Sequence, residues 1–423
     1  MPRKNDEGHI HSRRTILKLA AALSLSPLAV QKAFALDGQL RVYANSSLRA
    51  GVQAVAKAFV AKNSGVNVRT EFANTDQIQT TTRVQLGAGT APDVITVWPG
   101  SGNPLSVGQI APAGYLMDLT SQNFGAAVPE LLQESFFVNG KSYFLPTTVS
   151  LIGTYANLKV VKELGLEQPT TWSEFLAFCQ KVKDAGKIPL ALGNGSPWVT
   201  QLVTYALVAT TGFARNPTLA EDMRAGKLTF ANSDGWREAL EKYMELNKRG
   251  FFNPNPNGTS YDEALQMVGS GEAAMSILTS PSTKGILNFA GHRDFIIWPT
   301  PATDNPQETR VPSSLGNSLG INAKTRNPEA ALAFLKFMGS PEMLSLMGSE
   351  LDLPVLGKDV TYDPIFTDVM QMVNSGKIAM FMDNKWPNAR VQQTHFSGIQ
   401  ELFAGSATIA DVLKRMDQAY QSG

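Results

Sequence analysis

The residues of this chain best suited to chemistry are few: one cysteine, four histidines and six tryptophans in 423 residues. Two of the histidines, His9 and His11, stand in the first dozen residues. That leaves Cys179, His292 and His395, which share no spacing that a zinc site or a nucleophile–imidazole pair would use. Cys179 falls on one helical face with Phe175, Phe178 and Val182, where a thiol packs as a small hydrophobe. Neither a Walker loop nor a complete G-x-G-x-x-G follows a strand-like run, so no nucleotide, cofactor or metal is expected. A carboxylate pair for glycoside hydrolysis stays open, because sequence does not measure the separation of two acids.

The tryptophans divide by context. Trp172 follows a helix N-cap and Trp236 lies on an amphipathic stripe, which makes both core residues, and Trp298 closes a β-like run, Phe295 to Trp298, that reads as packing. Trp98, Trp198 and Trp386 each lie where a regular element begins or ends, beside Pro, Gly or Asn. An aromatic face at such a mouth suits a ligand that is apolar on one side and polar on the other, and sugars fit, since pyranose C–H groups stack on an indole while the hydroxyls bond polar edges. Spacing alone leaves each of the three equally open to a structural role.

The elements that must position these residues follow from periodicity. Leu40 to Ala44 reads as a strand, then Val52, Val55, Ala56, Phe59 and Val60 recur at helical spacing, and Val66 to Phe72 is a second strand. A helical stretch from Gln77 to Leu86 leads to a third strand, Asp93 to Trp98. This β-α-β-α-β order predicts parallel strands joined by crossover helices, with ligands at the carboxyl ends of the strands, where Asn45 and Trp98 fall. A second α/β region follows Leu145. Capping boxes at Thr171-x-x-Glu174 and Ser260-x-x-Glu263 open two of its helices; another runs from Trp198 to Thr210, and Ile188 to Leu192 and Ala273 to Leu278 are strands. Leu319 to Asn322 is a strand, Asn327 caps a helix with Pro328 in its first position, and a last helix spans Thr408 to about Tyr420.

Composition fixes the class. Hydrophobic residues make up 43% of the chain and charged residues 17%, the balance of a globular protein long enough for two domains. The 37 Lys and Arg against 36 Asp and Glu leave no basic excess for a phosphate backbone, so nucleic acid is not an expected partner. Ser12-Arg-Arg-Thr-Ile-Leu-Lys18, an apolar stretch from Leu19 to Val30 and the small-residue site Ala33-Phe-Ala35 form an export leader over residues 1–35. The paired Arg13 and Arg14 resemble the twin-arginine signal. No Cys follows the apolar stretch to carry a lipid, so the expectation is a soluble, monomeric periplasmic protein that starts at Leu36.

Nearly the whole mature chain resembles the extracellular solute-binding proteins of carbohydrate ABC importers, the family that includes maltose-binding protein. Carrying segments are Gly87-Ala-Gly-Thr-Ala-Pro-Asp93, Gly114-Tyr-Leu-Met-Asp-Leu119, Gly140-Lys-Ser-Tyr-Phe-Leu-Pro146 with Tyr155-Ala-Asn157, Pro169-Thr-Thr-Trp-Ser-Glu-Phe175, Gly271-Glu-Ala-Ala-Met275 and Asn327-Pro-Glu-Ala-Ala331. The resemblance implies a two-lobed α/β periplasmic binding protein fold with a multi-crossing hinge and an interlobe ligand cleft. Crossings at about Pro146 to Leu151, Ser313 to Gly316 and Leu351 to Pro354 give a first lobe of 36–147 plus 316–350 and a second of 148–315 plus 351–423. The site it implies comprises Asn45, Ser47, Trp98, Thr148, Ser150, Trp198, Gly316, Asn317, Asp383 and Trp386. Where the family often has a further stacking Trp, this chain has Ser280, Pro281 and Ser282, which argues against a long maltodextrin-like ligand.

The expected function is capture of a mono- to oligosaccharide for the permease subunits of an ABC importer. A polyol or sugar phosphate is the alternative, and a secreted glycan-active enzyme is the third reading; a phosphate would want an Arg fork or a helix N-terminus at the site, and Arg310 and Arg390 are the arginines near enough in sequence to supply the fork.

Overall fold

A computed structural model of the chain describes residues 38–354 and 363–422, so the expected leader, residues 1–35, lies outside the described residues. The strands are β1 (Gly38–Asn45), β2 (Val66–Ala73), β3 (Val94–Val97), β4 (Phe144–Leu145), β5 (Val149–Asn157), β6 (Ile188–Leu190), β7 (Ala273–Thr279), β8 (Phe295–Trp298), β9 (Val311–Leu315), β10 (Ser318–Ile321) and β11 (Ile378–Met380). They form two sheets, one ordered β2-β1-β3-β10-β4 and the other β11-β9-β5-β7-β6, with β8 also on β5. In the first, β1 runs parallel to β2 and β3, as the β-α-β-α-β order predicts, and β10 is antiparallel to β3 and β4. Every residue of β5 is buried, which suits a central strand covered on both faces.

Local chemistry sets the element ends. The boxes at Thr171/Glu174 and Ser260/Glu263 are both formed, and Thr408 with Asp411 makes a third at the last long helix, Ile409–Gln421. Pro328 opens the helix Pro328–Met338, but Asn327 makes no capping bond; its Nδ2 donates to the Gln39 carbonyl at 3.0 Å and ties that helix to β1. The helix expected from Trp198 to Thr210 is a 3-10 turn, Pro197–Val199, then Thr200–Val208, then a wider π turn, Ala209–Ala214.

Each sheet has its own aromatic core. Beside the first, Phe59 meets Phe334 edge-on at 5.3 Å. Beside the second, Trp236 is 1% exposed and meets Phe230 at 4.9 Å. Trp172 and Trp298 are buried too, and burial pushes the Cys179 thiol far up from its usual range, leaving it inert.

Among the described elements the chain goes from one sheet to the other three times: from β4 to β5, from β9 to β10, and between the helix Pro341–Leu351, which packs on the helix Arg49–Lys62, and β11. These passages lie side by side. Gly316 N donates to the Thr148 carbonyl at 2.8 Å, Thr147 Oγ1 to the Asn317 carbonyl at 3.2 Å, and Val149 N to the Pro354 carbonyl at 3.2 Å. Short extended segments of this kind absorb a rotation while packed bodies on either side stay rigid.

A further seam joins the loop after β3 to the loop after β11. Gly102 N donates to the Asp383 carbonyl at 2.9 Å, and a Cβ on Gly102 would stand 2.3 Å from that same oxygen. Only glycine allows the approach. An ion cluster flanks the seam, in which Lys385 bonds Glu134 at 3.0 Å and Glu221 at 2.5 Å.

Candidate ligand-binding site

Between the sheets lies a cavity of about 580 Å³, within the range of small-molecule sites. Its walls are made by the ends of elements. Asn45 ends β1, Trp98 follows β3, Thr279 ends β7, and Ser314 and Leu315 end β9. The first turns of five helices also reach it, through Arg49, Thr75 and Asp76, Gln201, Tyr261 and Asp262, and Lys284. Helix N-termini carry partial positive charge and free N–H groups, which suits a ligand rich in oxygen.

Eight of the ten expected residues line this cavity: Asn45, Ser47, Trp98, Ser150, Trp198, Gly316, Asn317 and Asp383. Two do not. Thr148 is 1% exposed and lies beneath the Gly316 turn, where a Cβ on residue 316 would meet its Oγ1 at 2.1 Å. Trp386 is 3% exposed and belongs to the aromatic core, with its ring 6.0 Å from Tyr205, 6.0 Å from Phe230 and 6.2 Å from Trp236. Packing from helices distant in sequence turns it inward, so it is a core residue and not a cleft aromatic.

Several lining residues support one another. Asn45 Oδ1 accepts from Ser47 N at 3.0 Å and its Nδ2 donates to Thr75 Oγ1 at 3.1 Å, so its side chain braces two loops. Asn317 Nδ2 donates to Ser47 Oγ at 2.9 Å, linking the two walls of that corner, and Asn384 Nδ2 donates to Ser314 Oγ at 2.8 Å. Trp98 and Trp198 are half-buried, and the ring of Tyr261, which the sequence did not flag, tilts against Trp198 at 4.9 Å. At Ser280, Pro281 and Ser282 the wall is a tight joint: Ser280 Oγ accepts from Leu151 N at 3.1 Å, and its carbonyl accepts from the Tyr155 hydroxyl at 3.0 Å.

The charge of the cavity is mixed. Lys284 is paired with Asp352 at 3.1 Å, and the Arg49 guanidinium lies over the Phe72 ring at 4.6 Å. Asp76 and Asp262 supply carboxylates, whereas the buried Asp383 carboxyl accepts from Gln392 Nε2 behind the wall at 3.1 Å. Neither Arg310 nor Arg390 lines the cavity; Arg310 donates to the Gln307 and Thr309 carbonyls, and Arg390 belongs to a separate surface groove with Arg83 and Arg415. Among the described residues no group of three side chains could hold a metal ion, and no helix is long and apolar enough to cross a membrane.

Asp383 is the most perturbed acid of the wall, its carboxyl pushed up to about 6 by burial. Deeper in, burial holds the His395 imidazole down at about 3. The two act oppositely on stability. A raised acid contributes fully below its unfolded value of 3.8 and loses that contribution as pH rises to about 6, whereas a depressed histidine contributes above 6.5 and loses it as pH falls toward 3. Between these limits the slopes offset. Asp383→Asn removes one of them, so relative to the parent the variant is expected to gain roughly 2–3 kcal/mol between pH 4 and pH 7. Urea unfolding at the two pH values checks this, and an equal difference at both would refute it.

Comparison with known proteins gives a consistent pattern. The model of the bacterial extracellular solute-binding protein family matches residues 45–344. The multiple sugar-binding protein of Streptococcus mutans is 24% identical over 318 residues, 74% of each chain. A probable sugar-binding periplasmic protein of Brucella suis is 22% identical over 375 residues, 82% of each. Among solved structures, a chitin oligosaccharide binding protein superposes with a TM-score of 0.80 at 21% identity, covering 91% of this chain and 98% of its own. RafE in complex with raffinose superposes with a TM-score of 0.76 at 17% identity, covering 91% and 99%. At these identities the structural likeness is one of fold.

Proposed function

Because the chain belongs to the bacterial extracellular solute-binding protein family, we propose that it captures a mono- to oligosaccharide between its two lobes and delivers it to the permease subunits of an ABC importer. The carrying observation is the cavity itself, which Trp98 lines from one side and Trp198 with Tyr261 from the other, among Asn, Ser and Asp residues. Aromatic faces take sugar C–H surfaces, and polar edges take hydroxyls. The chain is a solute-binding protein and not an enzyme. A sugar phosphate is not favoured, since neither Arg310 nor Arg390 lines the cavity, Lys284 is paired with Asp352, and the Arg49 guanidinium is held over the Phe72 ring.

The lobes are assigned as 36–147 plus 316–350 and 148–315 plus 351–423, an assignment supported by the two sheets and by the three passages between them. Residues 1–35 are assigned as a twin-arginine leader that delivers a monomeric protein without a lipid anchor to the periplasm. N-terminal sequencing of the exported protein, expected to begin at Leu36, checks the cleavage site.

A thermal-shift screen of the mature protein tests the ligand class, with raffinose, stachyose, chitotriose, xylotriose, glucose, sorbitol and glucose 6-phosphate as probes. A neutral sugar present at 100 times its Kd is expected to add about 2.7 kcal/mol of stability and so raise the melting temperature. A shift with sorbitol or glucose 6-phosphate alone would reverse the assignment, and no shift with any sugar would remove it.

A further inference from the structure

Behind the wall that carries Trp198, the helices Thr200–Val208 and Ala389–Ala404 meet along a polar seam. Gln392 sits in this seam, 1% exposed and outside the cavity lining. Its Nε2 donates to Asp383 Oδ2 at 3.1 Å and to Gln201 Oε1 at 3.2 Å. Both acceptors belong to residues that line the cavity.

A side-chain amide has one donor end and one acceptor end, whereas an ionised carboxylate only accepts. Asp383 therefore fixes which end of Gln392 faces it. The two protons on Gln392 Nε2 are then shared between Asp383 and Gln201, so Gln201 must turn its oxygen to Gln392. Its own Nε2 is left for the cavity, and among the described residues that nitrogen donates to nothing.

We propose that Asp383 and Gln392 are positioning residues that set Gln201 as a hydrogen-bond donor into the cavity, so that the subsite one helical turn from Trp198 takes an oxygen lone pair of the ligand. A hydroxyl, ring or glycosidic oxygen satisfies it. A group that only donates, such as the free ammonium of an amino sugar, does not. The inference rests on the sugar-binding reading for its ligand, but its polarity can be tested without one.

The test is hydrogen exchange of ¹⁵N-labelled side-chain amides by NMR at about pH 7.5, where Asp383 is ionised. In the wild-type protein the Gln392 amide protons are expected to exchange about tenfold or more slowly than those of Gln201. In Gln392→Glu the new carboxyl shares a proton with Asp383 and its other oxygen accepts from Gln201, so the Gln201 protons are expected to slow by about tenfold. Equal protection of the two amides in the wild type, or unchanged Gln201 exchange in a folded Gln392→Glu protein, overturns the proposal. Should that variant not fold, Asp383→Asn serves instead: an amide at 383 donates as well as accepts, so the two rates are expected to converge, and rates that stay as far apart as in the wild type overturn it. Raffinose, stachyose or chitotriose, whichever binds, is expected to slow the Gln201 protons at saturation. Binding that leaves them fast overturns the donor role, whereas a failure of every sugar to bind overturns only the reading of the site.

Discussion

Alanine in place of Trp386 is expected to destabilise the protein by about 3–5 kcal/mol, as is alanine in place of Trp236. Both rings are removed from water, and they lie 6.2 Å apart within one cluster that also holds Phe230, Tyr205 and His395. Truncation of either leaves a void that neighbours on separate helices fill only in part, so the loss exceeds the transfer energy of the removed atoms. The two share a cavity, so the double variant is expected to fall short of the sum. Chemical denaturation followed by circular dichroism measures the effect. A Trp386→Ala protein within about 1 kcal/mol of the parent but with lost sugar affinity would return that residue to the ligand wall.

Trp98→Ala and Trp198→Ala are expected to behave in the opposite way, each weakening sugar binding by about tenfold or more, the equivalent of about 1.4 kcal/mol. Both rings are half-buried on the cavity wall, so their removal without ligand uncovers little core. The Tyr261 ring beside Trp198 retains part of that platform, which makes Trp198→Ala the milder of the two. Calorimetric titration decides the matter: unaltered affinity in both folded variants would dismiss the aromatic cradle.

The contrast between Trp386 and the other two shows where sequence stops being informative. Trp98 precedes Pro99 and Gly100, Trp198 follows Pro197, and Trp386 precedes Pro387, so all three carry the same local mark of an element end. What differs is the partner across the fold. Tyr205 and Trp236, far off in the chain, enclose Trp386, and no local spacing reports that. Capping boxes are local by nature, so those at Thr171 and Ser260 were legible to the residue. The facing of Tyr261 into the cavity was not, although it directly follows one of those caps, because it depends on strand order. Gln392 and His395 were hidden for a related reason: on the buried face of Ala389–Ala404 they interrupt the apolar stripe of Val391, Phe396, Ile399 and Leu402 with polar groups that make sense only beside Gln201 and Thr204.

On the proposed function, the sugar is captured between two lobes that close on it. A ligand held by both walls binds the closed form more tightly and shifts the population toward it. Small-angle scattering of the mature protein, without sugar and with a saturating amount of whichever of raffinose, stachyose or chitotriose binds it, tests this directly. The expected result is a smaller radius of gyration with sugar, reached at one sugar per chain. A radius that stays the same at full saturation would contradict it.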